Sequence, residues 1–274
     1  MAITNQNQSQ NLSILHASDL HIGAHVPEML RQFSRLAHSL APDLVILSGD
    51  LTDGGRDLEC DILEAYLTVF QVPVFIVPGN HDAPVDNLWA RVFSPFERLN
   101  TLSAHMGQFR CCGLNVSELR TAAPIQARLD WSKGVATQKR VDRALGRVVR
   151  PMASSIKDPT VPFQILVGHH PIVDAPDVRV RGDVIGGQEA LTQCHGFGVD
   201  LILSGHTHQS WFGRRDGFRP ILATAPTLSS PRLRGEAQGF HAYTIAPSEI
   251  VCDVWRWDAS DFALEMTKVQ NRLI

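Results

Sequence analysis

Five apolar runs in this chain each close on a short cluster of Asp, Asn or His, and this repeated junction constrains the fold more than any other feature. The junctions are Asp19-Leu20-His21 after 12–17, Gly49-Asp50 after 43–47, Gly79-Asn80-His81-Asp82 after 73–77, Gly168-His169-His170 after 163–167, and Gly205-His206-Thr207-His208 after 199–203. Each run is short, apolar and bounded by turn residues, as a buried strand should be. Between the first three, Pro27 opens a helical pattern in which Leu30, Phe33, Ala37 and Leu40 share a face, and 58–70 reads as a second helix. A βαβαβ run of this kind implies a largely parallel sheet covered by helices. Ligands of such sheets sit in the crevice beyond the carboxyl ends of the strands, where all five junctions fall.

The rest of the pattern is less regular. A short helix is expected over 88–93, interrupted at Pro95, and then one strand over 109–116 containing Cys111 and Cys112. Residues 117–133 read as a long loop, 135–149 as an amphipathic helix, and 188–197 as a further helix. Lys139, Arg140, Arg143 and Arg147 of the amphipathic helix fit a solvated face. From Pro220 onward the pattern changes to short strand-like pieces, 221–225, 240–245 and 251–257, expected to be antiparallel and to complete a second sheet. Residues 12–274 read as one domain behind a polar, disordered leader of residues 1–11.

The side chains at the junctions form a coherent donor set. In an extended segment Asp19 and His21 lie two apart and point the same way, as do His206 and His208. Glycines 49, 79, 168 and 205 let the backbone turn sharply into each ligand. Asp50, with two oxygens and a charge, suits a bridging position; Asn80 offers an amide oxygen and the histidines imidazole nitrogen. The set suffices for two divalent metals. Carboxylate, imidazole and amide donors without thiolate favour Mn, Fe, Co, Ni or Zn over Mg or Ca.

Composition removes several function classes. A net charge of -3 gives no global basic field, so stable nucleic-acid binding is not expected. The 5 cysteines show no CxxC pairing and read as reduced thiols. The N-terminal stretch lacks the features of a signal peptide, and no apolar run reaches membrane-spanning length. The expectation is a cytoplasmic protein acting on a small molecule, with no membrane partner and with homo-oligomerisation left open.

The five blocks resemble those of the calcineurin-like metallophosphoesterase superfamily, whose pattern is D-x-H, G-D, G-N-H-D/E, H and G-H-x-H, in this order from Asp19 to His208. The resemblance implies a four-layer α/β/β/α fold, a two-sheet β-sandwich flanked by helices. It implies one metal held by Asp19, His21, Asp50 and His208, and a second by Asp50, Asn80, His169 and His206. It also implies phosphoester hydrolysis by a hydroxide held between the metals. His81 would then stabilise the transition state or protonate the leaving oxygen.

At finer grain, 77–82, His169-His170-Pro171 and Arg232-Leu233-Arg234-Gly235-Glu236 are similar to bacterial class III cyclic nucleotide phosphodiesterase-like proteins. A phosphodiester such as a small or cyclic nucleotide is the implied substrate. Leu51-Thr52-Asp53 stands where purple acid phosphatases carry a Tyr, and His81 where the lipid A pathway pyrophosphatases carry Arg. Both branches are therefore disfavoured.

His25 and His170 are candidate substrate contacts. His16 and His241 read as core residues, while His38, His105 and His195 read as surface or packing residues. Arg232 and Arg234 could meet a phosphate but read better as surface arginines, and Trp89, Trp131 and Trp211 could stack a base or equally serve packing. Two rival functions fit the sequence less well. A DNA exonuclease-like phosphodiesterase is disfavoured by the acidic balance, and a non-catalytic scaffold by the complete donor set.

Overall fold

The apolar periodicity of the first third of the chain folds as β1 (Leu12–Ala17), α1 (Pro27–Leu40), β2 (Leu44–Ser48), α2 (Asp57–Leu67) and β3 (Val74–Val77). The computed structural model describes residues 11–103, 108–111, 113–125, 130–146, 163–176, 178–182 and 184–273. As the pattern requires, β1, β2 and β3 pair in parallel, with Ile14 opposite Leu44 and Leu47 opposite Ile76. The chain continues through α3 (Leu88–Phe93), α4 (Glu97–Ser103), β4 (Gln108–Cys111), β5 (Leu114–Glu118), α5 (Gln138–Leu145), β6 (Phe163–Val167) and α6 (Gly187–Gly196). It ends with β7 (Leu201–Ser204), β8 (Trp211–Arg214), β9 (Ile221–Thr224), β10 (Gly239–Ile245), β11 (Glu249–Trp257) and β12 (Phe262–Asn271).

These strands form two mixed sheets, ordered β12-β11-β10-β1-β2-β3 and β4-β5-β6-β7-β9-β8. Alternate residues of each strand face opposite ways. Ile14, Ile46, Phe75, Val116, Ile165, Leu203, Tyr243 and Val254 meet in the core between the sheets. On the outer side of the first sheet, Leu15, Leu47 and Ile76 pack beneath Leu30 and Phe33 of α1 and Leu63 of α2. On the outer side of the second, Leu166, Ile202 and Leu222 pack beneath α5 and α6 through Val141, Leu145 and Leu191. The result is the four-layer α/β/β/α arrangement.

Several expectations are corrected. The strands after Pro220 do not build a second sheet together: β9 joins β7 in parallel, whereas β10 to β12 extend the first sheet antiparallel from β1. The reason lies in β10, whose Phe240 packs under the helices while Tyr243 and Ile245 enter the inter-sheet core. A strand buried on both faces belongs inside a sheet. The single strand expected over 109–116 is an antiparallel pair, β4 and β5, reversed at Gly113 with φ +83°.

The helix over 88–93 is interrupted at Pro95 as expected, and a separate helix, α4, begins at Glu97. The basic helix contracts to α5, where Lys139 and Arg143 are exposed as expected while Arg140 is half-buried, its guanidinium donating to the carbonyls of Arg120 and Val135 at 2.9 and 3.2 Å. β12 escaped notice because its residues are mostly exposed and carry no buried run. Leader residues 1–10, His105, Cys112, loop residues 126–129 and the expected helix end at 147–149 lie outside the described residues.

Candidate metal centre

Beyond the carboxyl ends of β1 and β2 the two chains stay paired, and this holds the first junctions side by side. The N–H groups of Asp19, His21 and Ile22 donate to the carbonyls of Gly49, Asp50 and Leu51 at 2.9 to 3.0 Å. On the second sheet, Gly168 N–H bonds Leu203 O at 3.0 Å and Gly205 N–H bonds His169 O at 2.8 Å. A cross-link joins the sheets here: the His206 N–H donates to Asp19 Oδ2 at 2.9 Å.

The Asp-x-His segments are not extended. Asp19, His21, Asp50, His206 and His208 have φ of 55°, 50°, 49°, 68° and 56°, in the left-handed region. A non-glycine residue there costs about 1–3 kcal/mol and persists only where its surroundings hold it. The backbone bonds just described do so. The glycines also act differently from expectation, because Gly205 has no positive φ; a Cβ there would meet Ser18 Oγ at 1.7 Å. Close approach of two ligand loops is what requires glycine at 205, whereas Gly49 combines φ +93° with a His169 ring that a Cβ would meet at 2.6 Å.

Three of the imidazoles that face the centre are aimed by a bond at the far nitrogen. Nδ1 of His169 bonds Ser48 O at 2.9 Å, Nδ1 of His208 bonds Arg232 O at 2.7 Å, and Nδ1 of His21 bonds Asp53 Oδ1 at 3.0 Å. A carbonyl or carboxylate acceptor fixes the proton on Nδ1 and leaves the Nε2 lone pair for a cation. Four overlapping groups have donor atoms within 4.8 Å: Asp19, His21 and His208; Asp19, Asp50 and His169; His169, His170 and His206; and His21, Asp53 and His81. Asp50 Oδ2 lies 3.8 Å from His21 Nε2 and 3.2 Å from His169 Nε2, between the sets.

The buried polar atoms test whether cations fit. Asp19 Oδ1, His21 Nε2, Asn80 Oδ1 and His169 Nε2 are buried and have no hydrogen-bond partner. Orphaned His21 and His169 nitrogens on either side of Asp50, with Asp19 in the same cluster, are what a cation site requires, since buried polar atoms are otherwise paired. Burial favours neutral Asp19 and Asp50, yet His208 beside the first and His169 beside the second outweigh it and hold both carboxyls below the usual range. Burial likewise opposes charge on His169, but Asp50 pushes it up to about 9. His206 goes the other way, driven well below its ordinary value by burial and by His170 and His169.

The other expected residues fall as follows. His81 Nδ1 bonds Asp53 O at 2.8 Å, its N–H donates to Asp50 Oδ1 at 2.8 Å, and its ring lies 4.7 Å from that of His21. Its side chain is 29% exposed, so Nε2 can meet an incoming molecule. His170 is turned inward instead: Nδ1 meets Thr121 Oγ1 at 3.0 Å and Nε2 meets Ser132 O at 2.8 Å, leaving no ring nitrogen for a substrate. His25 is half-buried after the first junction and accepts the Gly23 N–H at 3.2 Å. His16 and His241 are fully buried and hydrogen-bonded, as expected of core residues.

Sequence reasoning missed two supports. Asp53, three residues after Asp50, accepts from His21 and also pairs with Arg232 at 3.3 Å. Asp82 gathers the N–H groups of Leu51, Thr52 and Gly79 at 3.2, 2.8 and 2.7 Å, tying the junction after β2 to that after β3. Their signal was an acidic residue inside each junction with no ligand role left to fill. Trp89, for which stacking and packing were both open, is 74% exposed.

The model of the calcineurin-like phosphoesterase family matches residues 12–210, a span containing all five junctions. The chain belongs to the calcineurin-like phosphoesterase family. As a member it is a metal-dependent phosphoester hydrolase. Among curated relatives, a probable cyclic nucleotide phosphodiesterase of Synechococcus sp. is 28% identical over 253 residues, covering 82% of this chain and 85% of that protein. Another, from Vesicomyosocius okutanii, is 24% identical and covers 86% of this chain and 94% of the relative.

Two solved phosphatase structures share the fold. A dimetal phosphatase from Danio rerio superposes with TM-score 0.65 at 11% identity, covering 96% of this chain and 99% of that one. Yellow lupin purple acid phosphatase gives 0.65 at 14% identity over 97% of this chain and 54% of that one. No helix among the described residues is long and apolar enough to cross a membrane.

Proposed function

We propose that this calcineurin-like phosphoesterase hydrolyses a phosphodiester, of the small or cyclic nucleotide class, with two divalent metals. The observation that carries the two-metal part is the pair of orphaned His21 and His169 nitrogens on either side of Asp50, with Asp19 in the same cluster and Asn80 Oδ1 likewise buried and unpartnered. Asp19, His21, Asp50 and His208 would hold one metal, and Asp50, Asn80, His169 and His206 the other. The diester part is supported by relatives named as cyclic nucleotide phosphodiesterases.

Bound there, divalent cations would polarise the phosphoryl oxygens and acidify a water for in-line attack. The chain's own residues then have distinct tasks. Asp53 and the carbonyls of Ser48 and Arg232 keep three imidazoles correctly turned. His81, anchored through Nδ1 and its backbone N–H, presents Nε2 to the departing ester oxygen as a proton donor. His170 supports the His169 loop from within, since its own N–H also bonds Thr121 at 3.0 Å. His25 is left as a substrate contact at the rim.

The test is a substrate panel on protein reconstituted with Mn, Fe, Zn, Co or Ni, comparing monoesters, linear diesters and cyclic nucleotides. Diesters should be turned over best, with two metals bound per chain. Exclusive monoester turnover would sink the substrate class, and a single bound metal would sink the two-metal assignment.

A further inference from the structure

Between the two sheets, beneath the candidate centre, runs a chain of hydrogen bonds that includes none of the proposed ligands. Ser48 Oγ meets His16 Nε2 at 2.8 Å, and His16 Nδ1 meets the Tyr243 hydroxyl at 3.3 Å. That hydroxyl meets His241 Nδ1 at 2.9 Å, and His241 Nε2 meets Ser210 Oγ at 2.7 Å. Ser48, His16, Tyr243 and His241 are all at most 1% exposed. The tyrosine hydroxyl has one proton, so it donates to one histidine and accepts from the other, and the bonds run in a single direction through the chain.

Such a chain is expensive for a core. Ile14, Phe212 and Val254 surround it, and apolar residues of similar shape would pack there without needing partners. Its two ends explain its position. Ser48 stands two residues before Asp50, and Ser210 two residues after His208. Each proposed metal draws ligands from both sheets: Asp19, His21, Asp50 and Asn80 from the first, His169, His206 and His208 from the second. Apolar packing keeps sheets about 10 Å apart but sets their lateral register loosely, whereas hydrogen bonds are directional.

We propose that Ser48, His16, Tyr243, His241 and Ser210 form a buried strut that fixes the register of the two sheets and thereby the affinity for divalent cations. This rests on the metal-centre assignment above. Ser48, His16, Tyr243 and His241 all stand on the first sheet, and the His241 bond to Ser210, in the loop between β7 and β8, is the one that reaches the second; Tyr243 is the positioning residue because its hydroxyl holds the His241 ring for that bond.

The experiment is Mn²⁺ titration of the metal-stripped full chain by calorimetry, for wild type, Tyr243→Phe and the apolar triple variant His16→Leu/Tyr243→Phe/His241→Leu. Both variants should bind Mn²⁺ about 10- to 100-fold more weakly, the range seen when a ligand's supporting shell is removed. The triple variant should keep or raise the unfolding midpoint while losing affinity, which a merely structural role would not produce. A Phe33→Leu variant, loosened in the outer layer, should bind as wild type does.

Wild-type affinity in a folded Tyr243→Phe or triple variant would overturn the strut, and lowered turnover at that affinity would point to a proton path instead. A wild type that binds no Mn²⁺ would overturn the metal-centre assignment itself.

Discussion

Asp53 receives the Nδ1–H of His21 on its carboxylate at 3.0 Å and the Nδ1–H of His81 on its main-chain carbonyl at 2.8 Å. One residue therefore orients a proposed ligand through its side chain and the proposed acid through its backbone. Replacing Asp53 by Ala removes only the first. Divalent-metal affinity should fall about 10- to 100-fold, with the orientation of His81 retained. Metal titration checks this, and turnover at saturating metal should recover most of the wild-type value. Unaltered affinity would show that His21 needs no carboxylate behind it.

His81→Ala separates acid catalysis from metal binding. No bond from the His81 ring reaches a proposed ligand, so bound metal should be unchanged. Turnover of a substrate with an alkoxide leaving group should fall about 10²- to 10⁴-fold, the usual contribution of a positioned acid. Bis-p-nitrophenyl phosphate should lose far less, because p-nitrophenolate departs without a proton. Equal losses on both substrates would assign His81 to phosphate binding instead.

Gly205→Ala tests the close approach between sheets. The new Cβ would lie 1.7 Å from Ser18 Oγ and 2.5 Å from Asp19 Oδ2, in a region where both loops are held by backbone bonds. Neither neighbour is the end of a long flexible side chain. Overpacking of this kind costs about 1–3 kcal/mol or more. Denaturant unfolding should show that loss, accompanied by weaker metal binding, since Asp19 must move. A loss below 0.5 kcal/mol, about the scatter of a surface change, would mean the loops part easily.

The sequence exposed the parallel half of the fold because β1, β2, β3, β6 and β7 are predominantly apolar and end at recognisable junctions. It hid β12, whose side chains are mostly in solvent, and the sheet assignment of β10, which depends on what its two faces meet. Residue types at the junctions carried the donor set. Backbone geometry did not show: the left-handed φ of Asp19, His21, Asp50, His206 and His208 is imposed by bonds between distant segments. For the same reason His170 read like a substrate contact, although Thr121 and Ser132 occupy both its nitrogens.

The buried strut has a signature in pH. Burial pushes His16 down to about 3 and holds His241 well below its ordinary value, so both stay neutral in the folded chain. The unfolded chain protonates them near pH 6.5. Below that pH the unfolded state binds more protons, and stability falls as pH falls, by about 1.4 kcal/mol per pH unit for each histidine. Asp82 opposes with one proton: burial, then Asp50, raises it to about 6, so between its ordinary value and 6 the folded state is the one that holds the proton. His169, raised to about 9, is protonated in both states below pH 6.5 and adds no slope there. Metal-free protein in chelator, unfolded with urea from pH 7 to 4.5, should therefore lose stability steeply on acidification. In His16→Leu/Tyr243→Phe/His241→Leu the slope should shrink by about two protons. An unchanged slope would mean that these histidines titrate alike in the folded and unfolded chain and would overturn the buried, neutral assignment.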